Sequence, residues 1–212
     1  MDLVGAAIGL IPMILSLSVH EYAHAWSASK LGDDTAARMG RLTLNPMAHI
    51  DPFGTIILPL ILVLSHAPAF GWARPVPVDP SRFRRDVQMG KGMAITASAG
   101  PLSNLILAVL ATVLLGVLAR LGFAHAGALN LLVDVVMLNI ILAVFNLIPL
   151  PPLDGSRVVA WLLPARLADR WHTVERLAPI FLIVIFMFGG RLIRGPVYAI
   201  AGLLERLLNA IA

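Results

Sequence analysis

Ser18-Val19-His20-Glu21-Tyr22-Ala23-His24 decides how this chain is read, because Leu3 to Val19 before it is an apolar run and Ala25 to Leu31 after it are good helix formers ending at Gly32. One helix over residues 3 to about 30 is predicted. On it, positions i and i+4 share a face, so His20 and His24 can close on one cation while Glu21, a step round the helix, stays free to handle a proton. Charged groups at bilayer depth cost roughly 2.5 to 3.5 kcal/mol each on insertion scales and are rarely found there without a function. An apolar setting therefore sharpens a metal-binding reading of the motif.

The 212 residues are 58% hydrophobic and only 13% charged, with a mean hydropathy of +0.86. That excludes an ordinary soluble protein and predicts an all-α polytopic membrane protein. Without cysteine there is neither a disulfide nor a thiolate metal site, which leaves His, Asp and Glu as strong ligands. The net charge of +4 comes from basic residues in short loops between apolar runs, with no basic stripe interleaved with aromatics, so nucleic acid is not an expected partner. Met1-Asp2-Leu3 lacks a basic leader region, and neither a cleaved signal peptide nor an appended soluble domain is expected. A single membrane-embedded domain over 1–212 is anticipated, with a core over 1–160 and C-terminal helices over 161–212.

Further along, residues 94–121, opening with Ala99-Gly100-Pro101-Leu102-Ser103-Asn104, and residues 129–149, closed by Pro149, Pro151 and Pro152, predict a second and a third core span. Residues 177–190 and 196–211, divided by Arg191, Arg194, Gly195 and Pro196, predict one or two C-terminal spans. Gly40 to Pro46 alternates polar and apolar residues and predicts a short interfacial strand. Phe53 to Leu64 is too short for a roughly 30 Å hydrocarbon core. The following Gly71-Trp72-Ala73-Arg74-Pro75-Val76-Pro77-Val78 is extended by its prolines, and together the two predict a short membrane-inserted helix/strand hairpin. If the hairpin re-enters, Lys30 to Lys91 and Arg157 to Arg176 share one side and Arg120 lies opposite, which makes the crowded side cytoplasmic. Trp26, Trp72, Trp161 and Trp171 fall near predicted boundaries, as interfacial anchors should.

Re-entry also brings the second half of the first helix and the end of the third to one side, where Asp154 can join His20 and His24. A catalytic zinc takes three protein ligands and an open position, and Asp154 is the natural third. Each feature alone has a plain structural reading: a packed histidine pair, an Asp-Gly turn, a Gly-Pro helix start. Together, His20-Glu21-x-x-His24, Ala99-Gly100-Pro101-Leu102-Ser103-Asn104 and Asn146-x-x-Pro149-x-Pro151-x-x-Asp154-Gly155 resemble the site-2 protease family of intramembrane zinc metalloproteases. The resemblance runs from about Ser18 to Arg157 and is to a minimal bacterial type without PDZ or nucleotide-sensing domains.

The resemblance implies one zinc ion per chain held by His20, His24 and Asp154, Glu21 as catalytic base, and Asn146 near the substrate carbonyl. Asn104, Gly71, Trp72 and Val76 are the expected substrate contacts, the last three along an edge to which an unwound segment could add as a strand. It further implies a transmembrane protein substrate, the bilayer as surroundings, and a multi-pass location in a bacterial inner membrane with the site toward the cytoplasm. A rival reading, a divalent-cation transporter or channel using the same ligands, calls for paired sites or an inverted repeat, which the sequence lacks. A scaffold that only shelters partner helices has no use for Glu21. His49 and Asp51 are expected to cap or assist near a turn, His66 to end the short apolar segment, His125 and His172 to be solvated, and Asp134 to reach water at the outer end of its helix.

Overall fold

The computed structural model describes residues 3–65, 71–123 and 125–212; His66 lies outside these. Among them the chain is helical and contains no β-strand. The helices are α1 (Leu3–Leu31), α2 (Thr35–Arg38), α3 (Leu58–Leu64), α4 (Met89–Arg120), α5 (Ala126–Asn146), α6 (Asp154–Leu162), α7 (Ala165–Arg176) and α8 (Ala178–Ile211). A π-helical turn, Pro52–Ile57, leads directly into α3. Helices α4 and α5 are long and apolar enough to cross a bilayer.

Helix α4 is the hub and packs against α1, α5, α6 and α8. Its small buried residues Ala94, Ala97, Gly100, Ala108, Ala111 and Gly116 let those neighbours come close. One cluster joins Ala108 of α4, Ile140 of α5, and Val197 and Leu204 of α8. A second joins Leu10, Met13 and Leu17 of α1 to Ala73, with Leu138 and Leu142 of α5 against it.

The structure corrects some expectations and decides others. Helix α4 begins at Met89, so Gly100-Pro101 lies about three turns inside it instead of opening it. Proline there costs one ladder donor, and the helix, packed against α1 and α5, continues through it. Of the one or two C-terminal spans expected, the structure has one continuous helix, α8, in which Ile193, Val197, Ile200 and Leu204 form a single stripe packed on α4 and α5 that spans Pro196. The expected strand at residues 40–46 is a loop leading into a 3-10 turn, Pro46–Ala48, whose first turn is capped by the Asn45 side chain on Met47 N.

The return segment, residues 71–79, is extended but belongs to no sheet, since Pro75 and Pro77 supply no ladder donors and no strand lies beside it among the described residues. It is anchored point by point. Trp72 N donates to Gly54 O (3.1 Å) and Arg74 N to His49 O (2.8 Å), Thr55 Oγ1 donates to Trp72 O (2.7 Å), and Asp79 N donates to the buried Asp33 carboxylate (2.7 Å). The Trp72 indole lies on Gly54, where a Cβ would overlap the ring. Asp51 caps the Pro52 turn by accepting from Phe53 N and Gly54 N. His49 is a buried pin rather than a cap, its Nε2 2.8 Å from Thr43 O. Hydrogen bonds from the Ser81 hydroxyl and N–H, helped by Arg82, hold the Asp79 carboxyl below the usual carboxylate range. His125 starts α5 by accepting from Ala128 N, and Asp134 is exposed on that helix.

Candidate active site

The motif sits past the middle of α1, with His20 and His24 turned onto α4 and buried. Each ring is fixed by its Nδ1. That of His20 lies 2.7 Å from Asn104 Oδ1 and that of His24 2.7 Å from Thr96 O, both on α4. A carbonyl oxygen only accepts, so each Nδ1 carries the hydrogen and each Nε2 presents a lone pair. The turn Ile148–Leu153 after α5 then delivers Asp154 at the start of α6. Its Oδ2 lies 3.2 Å from His20 Nε2 and 3.4 Å from His24 Nε2, and the two Nε2 atoms are 3.0 Å apart.

With neutral rings, three acceptor atoms thus converge, and the buried Asp154 Oδ2 has only the two histidine nitrogens beside it. A cation resolves that arrangement. Zinc ligands at about 2.0–2.2 Å in a tetrahedral set stand roughly 3.3–3.6 Å apart, close to the observed spacing. The residues present therefore fit zinc, and these are the only His, Asp and Glu side chains among the described residues to form such a group.

Gly100 of α4 forms the floor under both imidazoles, and a Cβ there would overlap His24 Nε2 and His20 Cε1. The expected result for Gly100→Ala is a loss of zinc affinity of at least about 10-fold, the scale of a disturbed ligand orientation. A stability loss of roughly 1–3 kcal/mol from overpacking should accompany it. Chelator competition and thermal unfolding of the purified protein measure the two effects.

Glu21 points to the return segment, where its Oε2 accepts from Val76 N at 2.9 Å. With prolines at 75 and 77, Val76 is the one residue of that triplet able to donate a backbone hydrogen bond. Gly71, by contrast, packs against Gly54 O, Pro59 and Met13, and Trp72 is tied to Gly54 and Thr55, so both secure the return segment to the helix before it. Asn104 is fully buried behind His20. Asn146, at the last turn of α5, is half-buried and donates from Nδ2 to Leu142 O (3.0 Å).

The model of peptidase family M50 matches residues 117–189, a stretch that contains Asn146 and Asp154. A Bacillus subtilis (strain 168) protein named "Putative zinc metalloprotease YwhC" is 42% identical over 183 residues, covering 84% of this chain and 79% of that protein. The chain belongs to peptidase family M50, the site-2 protease family. A Mycolicibacterium smegmatis protein named "Putative zinc metalloprotease Rip2" is 33% identical over 144 residues, 67% of this chain and 52% of that protein. Its Mycobacterium tuberculosis (strain H37Rv) namesake is 28% identical over 176 residues, 82% of this chain and 64% of that protein. No solved structure matches. This M50 member is a membrane zinc metalloprotease, as the sequence resemblance implied.

Several groups that build the site were not among the expected ones: Thr96, whose carbonyl orients His24, Gly100 as the floor, and Ser16 and Asn139 behind Asn104. Asn139 carried a signal. It is an amide in the middle of a very apolar helix, a placement that calls for a partner.

Proposed function

We propose that this M50 peptidase hydrolyses peptide bonds within or near transmembrane segments of other membrane proteins, with His20, His24 and Asp154 as zinc ligands and Glu21 as the catalytic base. The observation that carries the reading is the convergence of three potential metal-ligand atoms next to Glu21, whose carboxylate is held on one oxygen by Val76 N–H, inside a bundle containing two helices of bilayer length. Zinc, when bound, supplies a positive centre that polarises a carbonyl and makes water more acidic. Glu21 accepts the proton of the attacking water as the C–O bond forms, then returns it to the amine as the C–N bond breaks. Val76 N–H holds one carboxylate oxygen of Glu21 and leaves the other for that proton. Asn146 serves the substrate carbonyl from the end of α5. Asn104 orients His20 and does not meet substrate.

Helices α1, α4 and α5 are the core spans in this reading, with α8 as a further one. The Pro52–Leu64 helix re-enters, being about 20 Å long against a core of about 30 Å. The site then faces the cytoplasmic side of a bacterial inner membrane, and residues 1–212 act as one membrane-embedded unit. A helical substrate must unwind before attack, and the return segment at Val76 is where its extended backbone would lie. The test compares membrane proteomes of cells carrying the wild-type chain or Glu21→Gln. Single-span proteins should accumulate uncut with the variant, and identical cleavage patterns would remove the proposal.

A further inference from the structure

We infer that Ser16, Asn139 and Asn104 form a polarised amide relay that sets which nitrogen of His20 carries its hydrogen, making these three residues positioning residues for zinc. The inference rests on the assignment of His20, His24 and Asp154 as ligands.

The direction of the relay follows from groups that can only accept. Asn139 Nδ2 lies 2.8 Å from Val135 O, a backbone carbonyl, so this end of the amide must be the NH2 group. The same nitrogen donates to Ser16 Oγ at 2.8 Å. The other end of Asn139 is therefore its oxygen, and 2.7 Å from it stands Asn104 Nδ2. That nitrogen also faces Ser16 O, at 3.5 Å, a second group that cannot donate. Both constraints leave Asn104 Oδ1 facing His20 Nδ1 at 2.7 Å. An oxygen there requires hydrogen on Nδ1, which places the free lone pair on Nε2, toward Asp154 and His24.

Ser16, Asn104 and Asn139 are all completely buried, so no bulk water competes for these groups. The chain of bonds crosses α1, α4 and α5. Reversing either amide would set oxygen against oxygen, and the alternative His20 tautomer, with its hydrogen aimed at the metal position, is opposed by every link. A carbonyl on α5 thus controls a ligand on α1 through two side chains. The same links hold the three core helices in register around the site, so tautomer and packing are set together.

The test measures zinc affinity of the purified full chain in detergent by chelator competition, with metal-free thermal unfolding as the check on folding. Asn104→Leu and Asn139→Leu, which keep the branching of the side chain and remove its polar atoms, should each weaken zinc binding by about 10–100-fold, the usual range for groups that orient a metal ligand. Because they act in series, the double variant should stay within about threefold of the weaker single one. Asn104→Asp keeps an acceptor at His20 but must carry a proton on its other oxygen to meet Asn139 Oδ1, so it should bind zinc more tightly than Asn104→Leu yet less tightly than wild type, whereas a filler role would be met equally by leucine. Should the leucine variants fail to fold, Asn139→Ala breaks the relay without added bulk and carries the same expectation. Leucine variants that bind zinc within threefold of wild type, or losses that multiply in the double variant, would overturn the relay. His20→Ala and Asp154→Ala serve as controls: retention of one tight zinc by either would overturn the ligand assignment instead.

Discussion

Asp154→Ala is expected to weaken zinc binding by more than about 100-fold, beyond the 10–100-fold typical of outer-shell substitutions, and to reduce proteolysis to background. Asp154 supplies the only anionic atom among the three that converge, at 3.2 and 3.4 Å from the histidine nitrogens. Removing it leaves two imidazoles, one ligand short of the three that hold a catalytic zinc. Folding should be spared, because the Asp154 Oδ2 accepts no hydrogen bond whose loss would orphan a donor. A separate readout follows from linkage. Zinc at 100 times its Kd stabilises the wild-type fold by about 2.7 kcal/mol, and that zinc-dependent rise in unfolding temperature should disappear in Asp154→Ala. An unchanged zinc-dependent rise would show that the metal is held elsewhere.

Glu21→Gln is expected to lower kcat by about 10²–10⁴-fold, the contribution of a positioned acid–base group, with zinc content unchanged. The amide keeps an oxygen to accept from Val76 N–H, so the contact with the return segment survives while the proton acceptor is lost. KM should change little, since the substitution removes a group that acts in the transition state. Measured on a detergent-solubilised single-span substrate, the variant separates the two roles proposed for the motif, metal binding by the histidines and proton transfer by Glu21. Undiminished turnover by Glu21→Gln would discard the assignment of the base.

These two predictions concern residues that lie far apart in the chain yet were legible in it as candidates. His20, Glu21 and His24 could be read because an i, i+4 spacing on a helix is a local property. Asp154 could be read because the prolines before it end α5 and force a turn at that depth. The helix boundaries were less legible. Gly100-Pro101 looks like a helix start and is an interior step of α4, and Arg191 to Pro196 looks like a break and is continuous α8. In both places packing against neighbouring helices overrides the local signal, which no reading of propensity along one segment can supply. The strand expected at residues 40–46 failed for a related reason: alternation marks a half-buried strand only where a partner edge exists, and here Asn45 and His49 fold the stretch on itself.

The amino-acid sequence by itself determined the membrane setting, the family and the residue types that the proposed ligands and base bring, because hydropathy, residue type and helical spacing are properties of short stretches. Only the tertiary structure decided how the imidazoles are oriented, what lies beneath them and what holds Glu21. Asn104, Asn139, Thr96, Gly100 and Val76 reach the site from separate elements. Hydrogen-bond direction and close approach depend on distances between residues remote in the chain, and those distances exist only once the helices have packed.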